Sequence, residues 1–183
     1  GGGLRVFGND RLDLGREVYE SKGSCSKCHG SSGEGGSGPA LGNREFLAAA
    51  SDGFLAGTIL LGRENSAMIP FTGAGSVELS SQDIENVVAY IRSFEGRPVP
   101  PRRLTWASDA TIHEGAELFR SHCASCHGAE GKGPGGARVK GYAPSLNNRE
   151  FLAAADDGLL LATIALGRPG TPMRAFARGA GGI

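Results

Sequence analysis

The sequence predicts an all-α fold built of two tandem units, and three observations predict it. A 22-residue block occurs twice, at 43–64 (NREFLAAASDGFLAGTILLGRE) and 148–169 (NREFLAAADDGLLLATIALGRP), identical at 16 positions and offset by 105. A second motif also repeats, Cys25-Ser26-Lys27-Cys28-His29 and Cys123-Ala124-Ser125-Cys126-His127, at an offset of 98. Helical periodicity with start and stop signals surrounds both motifs. The expected organisation is a first domain over 1–96, a Pro- and Arg-rich linker over 97–106 and a second domain over 107–183.

In chain order, residues 12–22 and 112–122 are predicted as amphipathic helices leading into the cysteine motifs. Leu14, Val18 and Tyr19 form the apolar face of the first, and Ile112, Ala116, Leu118 and Phe119 that of the second. A glycine-rich loop follows each motif. The offsets differ by seven, which places seven extra residues in the second unit, within the Gly- and Lys-rich loop 128–142. Asn43 and Asn148 are the expected N-caps of a short helix through Phe-Leu-Ala-Ala-Ala. Residues 52–61 and 157–166 form the next helix, stopped by Gly62 and Gly167. Ser80-Ser81-Gln82-Asp83 opens a strong helix with Ile84, Val87, Val88, Ile91 and Phe94 on one face and Gly96 as its stop. The second unit reaches Ile183 with no equivalent of that helix. Either the chain continues or a partner supplies the missing cover. Three prolines make 97–106 a semi-rigid spacer.

Composition narrows the function. The 183 residues include 31 glycines and are 39% hydrophobic, against about 45–50% apolar in ordinary domains. A net charge of zero argues against a nucleic-acid partner. The best apolar runs, 54–61 and 159–166, fall well short of the roughly 18 residues of a membrane span, so no transmembrane segment is expected in the chain as given. Its first five residues, Gly1-Gly2-Gly3-Leu4-Arg5, lack the charged and apolar regions of a signal peptide, so the chain reads as mature or trimmed. Something other than a large side-chain core must hold it together.

The cysteine motifs supply that something. Cys-x-x-Cys-His is the attachment signature of haem c. Two thiols three positions apart reach the two vinyl groups of one porphyrin, and the next histidine lies under the iron. A redox dithiol, a Cys₄ zinc site and structural disulfides are the competing readings. None explains the histidine twice, and a zinc site would have to span the long gap between the motifs. The chain is therefore expected to carry two covalently attached haem c groups, at Cys25 and Cys28 and at Cys123 and Cys126, with His29 and His127 on the irons. Met68 and Met173, the only methionines, share the offset of 105 and are the expected second iron ligands. His113 and His122 have no counterparts and read as surface residues. Two flat, mostly apolar cofactors would provide the core that the side chains lack.

With these residues in view, each unit resembles a class I cytochrome c domain, giving a pair of tandem cytochrome c-like domains, each wrapped around one covalent haem. The resemblance covers about 12–96 and 110–176, and the second unit departs from it by lacking the last helix. It implies that Pro39 and Pro144 offer their carbonyls to the proximal histidine rings. Arg63 and Arg168, repeating just before the methionine loops, are candidate haem-propionate contacts. Arg44 and Arg149 also repeat. Tyr90 is expected against the first haem or in the helix core, and Trp106 against the linker.

The resemblance implies electron transfer rather than catalysis, because both axial positions are filled by protein. A dihaem enzyme, peroxidase-like or thiosulfate-oxidising, is the alternative, and it needs a reactive haem with an unusual ligand. Expected partners are other redox proteins or a membrane-bound oxidoreductase complex, with further subunits covering the second haem domain. The expected location is the periplasm or outer face of the cytoplasmic membrane, or outside the cell. The formal charge is −4 over 1–96, +3 over 97–106 and +1 over 107–183. An acidic first domain suits a basic partner, and the linker side a different one. Arg174 places a positive charge beside Met173 and should raise the second potential.

Overall fold

The computed structural model describes residues 7–73, 76–95, 109–133 and 143–177. The linker 97–106, most of the loop 128–142, Gly96, and the tail lie outside the described residues. Those described are helical, joined by loops, with one isolated bridge between Thr72 and Glu78.

Helix α1 (Phe7–Glu17) continues into a π-turn over Val18–Lys22, closed by Gly23 N donating to Val18 O at 2.7 Å. It starts five residues before the predicted position, over a polar stretch without apolar periodicity. Leu14, expected on the buried face, is 49% exposed. The reason is Gly15, because α1 crosses α5 (Ser81–Ser93) there: a Cβ on Gly15 would lie 2.1 Å from Asn86 O. The face carrying Gly15, Val18 and Tyr19, at i, i+3 and i+4, turns inward and Leu14 turns out.

The one-turn α2 (Ser26–His29) carries the first cysteine motif. Helix α3 (Arg44–Ala49) is capped by Asn43, whose Oδ1 accepts from Phe46 N at 2.8 Å. Helix α4 (Asp52–Leu61) has the predicted bounds and takes Ser51 as its cap. The Ser80–Asp83 capping box opens α5, and Ile84, Val87, Val88 and Ile91 are buried as the periodicity required. Tyr19, Tyr90 and Phe94 form a ring cluster with centroids 5.1–5.4 Å apart, which places Tyr90 in the helix core. Arg92 on α5 donates to the carbonyls of Leu47 and Ala50 and pairs with Asp52 at 2.7 Å. One guanidinium thus satisfies the end of α3 and ties it to α4 and α5.

In the second unit, α6 (Ile112–Leu118) has a Thr111–Glu114 capping box, missed in the sequence, and runs into a π-turn over Phe119–Cys123. The helices α7 (Ala124–His127), α8 (Arg149–Ala154) and α9 (Asp157–Leu166) repeat α2, α3 and α4. The predicted apolar face of α6 is not buried. Ile112 is 94% exposed, Leu118 59%, and Gly115 has nothing within 4 Å of its Cβ position. Among the described residues no helix lies over α6 as α5 lies over α1.

The two units meet across an approximate twofold relation. Helix α3 packs on α9 and α4 packs on α8, so equivalent helices exchange partners. The hydrophobic cluster of Phe46, Leu47, Phe54, Leu55 and Ile59 continues into Ala155 and Leu159. Two backbone hydrogen bonds repeat the symmetry: Ala40 N to Pro169 O at 3.0 Å and Ser145 N to Glu64 O at 3.1 Å. Direct packing, rather than the spacer alone, sets how the described halves meet.

Arg92→Ala is expected to cost about 1–3 kcal/mol by stranding carbonyls bonded to a charged group. Arg92→Lys should restore little, since one ammonium cannot reproduce the fork. Denaturant unfolding of the haem-loaded protein measures both. The Asp83 carboxyl is held down at about 2, chiefly by its hydrogen bond from Lys22 and then by Ser80. An unfolded aspartate titrates near 3.9. The box therefore stabilises the fold fully above about pH 4 and loses that contribution as pH falls through about 2. Asp83→Asn should be less stable than the parent at pH 7, and the gap should close on acid titration.

Candidate haem sites

The short helices α2 and α7 present the attachment residues in the same way. Cys25 and Cys123 are half-buried, Cys28 and Cys126 are exposed, and all four are unbridged. His29 and His127 are each buried, at 8% exposure. Burial pushes the Cys25 thiol up to about 11, which is the opposite of the acidic thiolate a disulfide-exchange dithiol needs. The described residues contain no cluster of three His, Cys, Asp or Glu able to hold a metal, so the Cys₄ zinc reading finds no support.

Each imidazole is oriented by a proline. His29 Nδ1 is 2.8 Å from Pro39 O and His127 Nδ1 is 3.0 Å from Pro144 O. A carbonyl only accepts, so Nδ1 carries the proton and donates. Nε2 is then left with its lone pair free for a metal. Burial lowers the His29 pKa first, the Pro39 carbonyl opposes this, and the nearby Arg168 charge lowers it further. The ring is neutral at pH 7, as a metal ligand must be. Tyr19 contributes a contact that apolar patterning did not reveal: its hydroxyl donates to Gly30 O at 2.7 Å and fixes the turn after the first motif.

The methionine loops are superposable in their hydrogen bonds. Arg63 N donates to Met68 O and Arg168 N to Met173 O, both at 2.8 Å. Ser66 Oγ donates to Arg63 O and Thr171 Oγ1 to Arg168 O, both at 2.7 Å, and each hydroxyl accepts from its methionine N–H at 3.1 Å. Sequence reasoning missed Ser66 and Thr171. The signal was available, since both are hydroxyl residues at the offset of 105. Met68 and Met173 are half-buried.

Gly62 and Gly167 open these loops at φ 67° and 72°, and a Cβ on either would lie 2.6 Å from the carbonyl of the loop's methionine. Neither position tolerates a side chain without moving that methionine.

Arg63 and Arg168 leave their own units. The Arg63 guanidinium lies over the Phe151 ring at 3.9 Å and that of Arg168 over the Phe46 ring at 3.8 Å. A cavity of about 520 Å³ beside Met68 is lined by Leu61 and Arg63 of the first unit and by Ser145 and Phe151 of the second. Of the other histidines, only His113 is the expected surface residue; His122 is half-buried beside Cys123. His113 is exposed, 3.6 Å from Glu117, and the His122 ring packs edge-on to Phe176. Arg174 is exposed and lies over Phe176 at 5.0 Å.

Two thiols, an oriented imidazole and a loop thioether per unit form a donor set that fits haem c. The comparisons with known proteins agree. Residues 10–91 and 110–180 both match the family model of cytochrome c oxidase, cbb3-type, subunit III. The chain belongs to that family. It is accordingly a dihaem c-type cytochrome with two cytochrome c domains. It is 31% identical over 155 residues to the cbb3-type cytochrome c oxidase subunit FixP of Bradyrhizobium diazoefficiens, covering 80% of this chain and 49% of the relative. It is 28% identical over 169 residues to the subunit CcoP of Azospirillum sp., covering 85% and 53%. A chain of the Kuenenia stuttgartiensis reducing HAO-like protein complex is 26% identical, with a TM-score of 0.47 over 91% of this chain and 88% of that one. The chain spans about half the length of the FixP and CcoP relatives. None of its described helices is long and apolar enough to cross a membrane.

Gly62→Ala and Gly167→Ala should each destabilise the haem-loaded protein by about 1–3 kcal/mol, the cost of a side chain at a glycine-only conformation. Denaturant titration followed by haem absorbance reads that loss.

Proposed function

We propose that this chain relays single electrons through two haem c groups as the haem-bearing part of an oxidase subunit. His29 and Met68 hold one iron, and His127 and Met173 hold the other. The repeated pairing of an oriented imidazole with a hydrogen-bonded methionine loop carries this reading. When bound, each haem supplies an iron that exchanges one electron between ferric and ferrous states. Pro39 and Pro144 hold the imidazole proton on Nδ1, and Ser66 and Thr171 hold the methionine loops closed, so each ligand is preorganised and little need move when charge changes. A histidine and a methionine of the chain would be available to each iron, which would leave no ligand to be supplied by a substrate. This favours a carrier over a peroxidase-like or thiosulfate-oxidising enzyme.

The partner in this reading is a membrane-bound oxidoreductase complex together with a soluble donor. The location is the periplasmic side of the membrane, where c-type haem is attached in bacteria. The acidic first unit suits a basic donor. The uncovered face of α6 suits cover by a further subunit. Arg174 is exposed, so solvent screens its effect on the second potential.

Met173→Ala should leave one haem low-spin and open the other to an added ligand such as imidazole, read as a change in half of the haem absorbance. An unchanged spectrum would overturn the assignment of Met173. Turnover of peroxide or thiosulfate by the parent protein would favour the enzymatic reading.

A further inference from the structure

The two arginines that precede the methionine loops each reach across to an aromatic ring of the opposite unit. Phe46 and Phe151 are related by the same offset of 105 as Arg63 and Arg168. Yet Arg168 lies on Phe46 and Arg63 on Phe151. The exchange is anchored in the backbone. Pro169 O accepts from Ala40 N, and Glu64 O accepts from Ser145 N. Ala40 and Ser145 directly follow the prolines whose carbonyls take the proximal imidazoles. Each arginine turn is therefore pinned to the proximal loop of the opposite unit.

Both guanidiniums are half-buried, and neither has a carboxylate partner among the described residues. Two half-buried guanidiniums with no carboxylate at ion-pair distance among the described residues are costly to keep. An added anion would offset that cost, and a guanidinium fork pairs best with a carboxylate.

We propose that the arginines serve the haems crosswise: Arg168 pairs with propionates of the haem attached at Cys25 and Cys28, and Arg63 with those of the haem attached at Cys123 and Cys126. This rests on the haem c and His/Met reading above. It makes the junction between units part of both cofactor sites. A change at one arginine then tunes the haem of the other unit. Ferric haem carries one more positive charge than ferrous, so removing a cation beside the propionates stabilises the ferric state relative to the ferrous, and the potential of the opposite haem should fall.

The test uses the full chain with both haems attached. In a Met173→His background, the sulfur-to-iron charge-transfer band reports only the first haem. In a Met68→His background it reports only the second. Arg168→Gln is introduced into each, and the band is followed in a redox titration. The expected result is a downward shift of the first haem equivalent to a ferrous-to-ferric ratio at least about threefold lower, or about 28 mV at 59 mV per tenfold for one electron. The second haem should shift less. Arg168→Lys, which keeps the charge, should recover most of the potential, whereas a purely structural role would leave potentials unmoved. A larger shift at the second haem would overturn the crossed assignment while keeping the propionate role. No shift at either haem would overturn both. Absence of the sulfur band in the parent protein would instead overturn the His/Met reading.

Discussion

The hydrogen bond from the His29 imidazole to the Pro39 carbonyl, 2.8 Å long and repeated between His127 and Pro144 at 3.0 Å, is the constraint around which each unit is arranged. It requires a one-turn helix that ends at the histidine, a glycine-rich turn, and a return of the chain to place a proline carbonyl against the ring. Tyr19 holds that turn from below in the first unit. The same loops carry Ala40 and Ser145 to the junction, where they meet the turns that begin the opposite methionine loops. One local bond thus sets the tautomer of a buried imidazole and also the surface on which the other unit docks.

The junction explains how a chain so rich in glycine holds together. Its first unit has a true side-chain core between α1, α4 and α5, with Val87 and Tyr19 fully buried. The second contributes few buried apolar side chains of its own, and Ala155 and Leu159 are buried within the cluster centred on the first. Burial of α9 against α3 supplies hydrophobic contact that the second unit does not make internally. The buried face of a duplicated domain is here shared between copies.

Much of the local structure was legible in the sequence. The bounds of α4 and α9, the caps Asn43, Asn148 and Ser80, and the stops Gly62 and Gly167 follow from chemistry within one turn of chain. Leu14, Ile112 and Leu118 were misplaced because periodicity identifies an apolar face without saying whether anything covers it. Gly15 decides the matter for α1 by allowing a backbone approach that no hydropathy pattern encodes. Over α6 no described helix makes the equivalent approach. Ser66 and Thr171 escaped notice because a loop hydroxyl carries no signal alone; only the repeat marks them.

By itself, the sequence determined that the chain is a duplication and that each copy carries two thiols, a histidine and a methionine at matching positions. Those features depend on residue identity at short or constant spacing, so they survive without coordinates. The tertiary structure alone decided which side of α1 is buried, that no described helix covers α6, and that Arg63 and Arg168 cross to rings in the opposite copy. The reason is physical: these outcomes come from packing between segments far apart in the chain, from 71 residues for Gly15 and Asn86 to 122 for Phe46 and Arg168. Two identical blocks carry no local information about whether each arginine meets its own phenylalanine or its partner's.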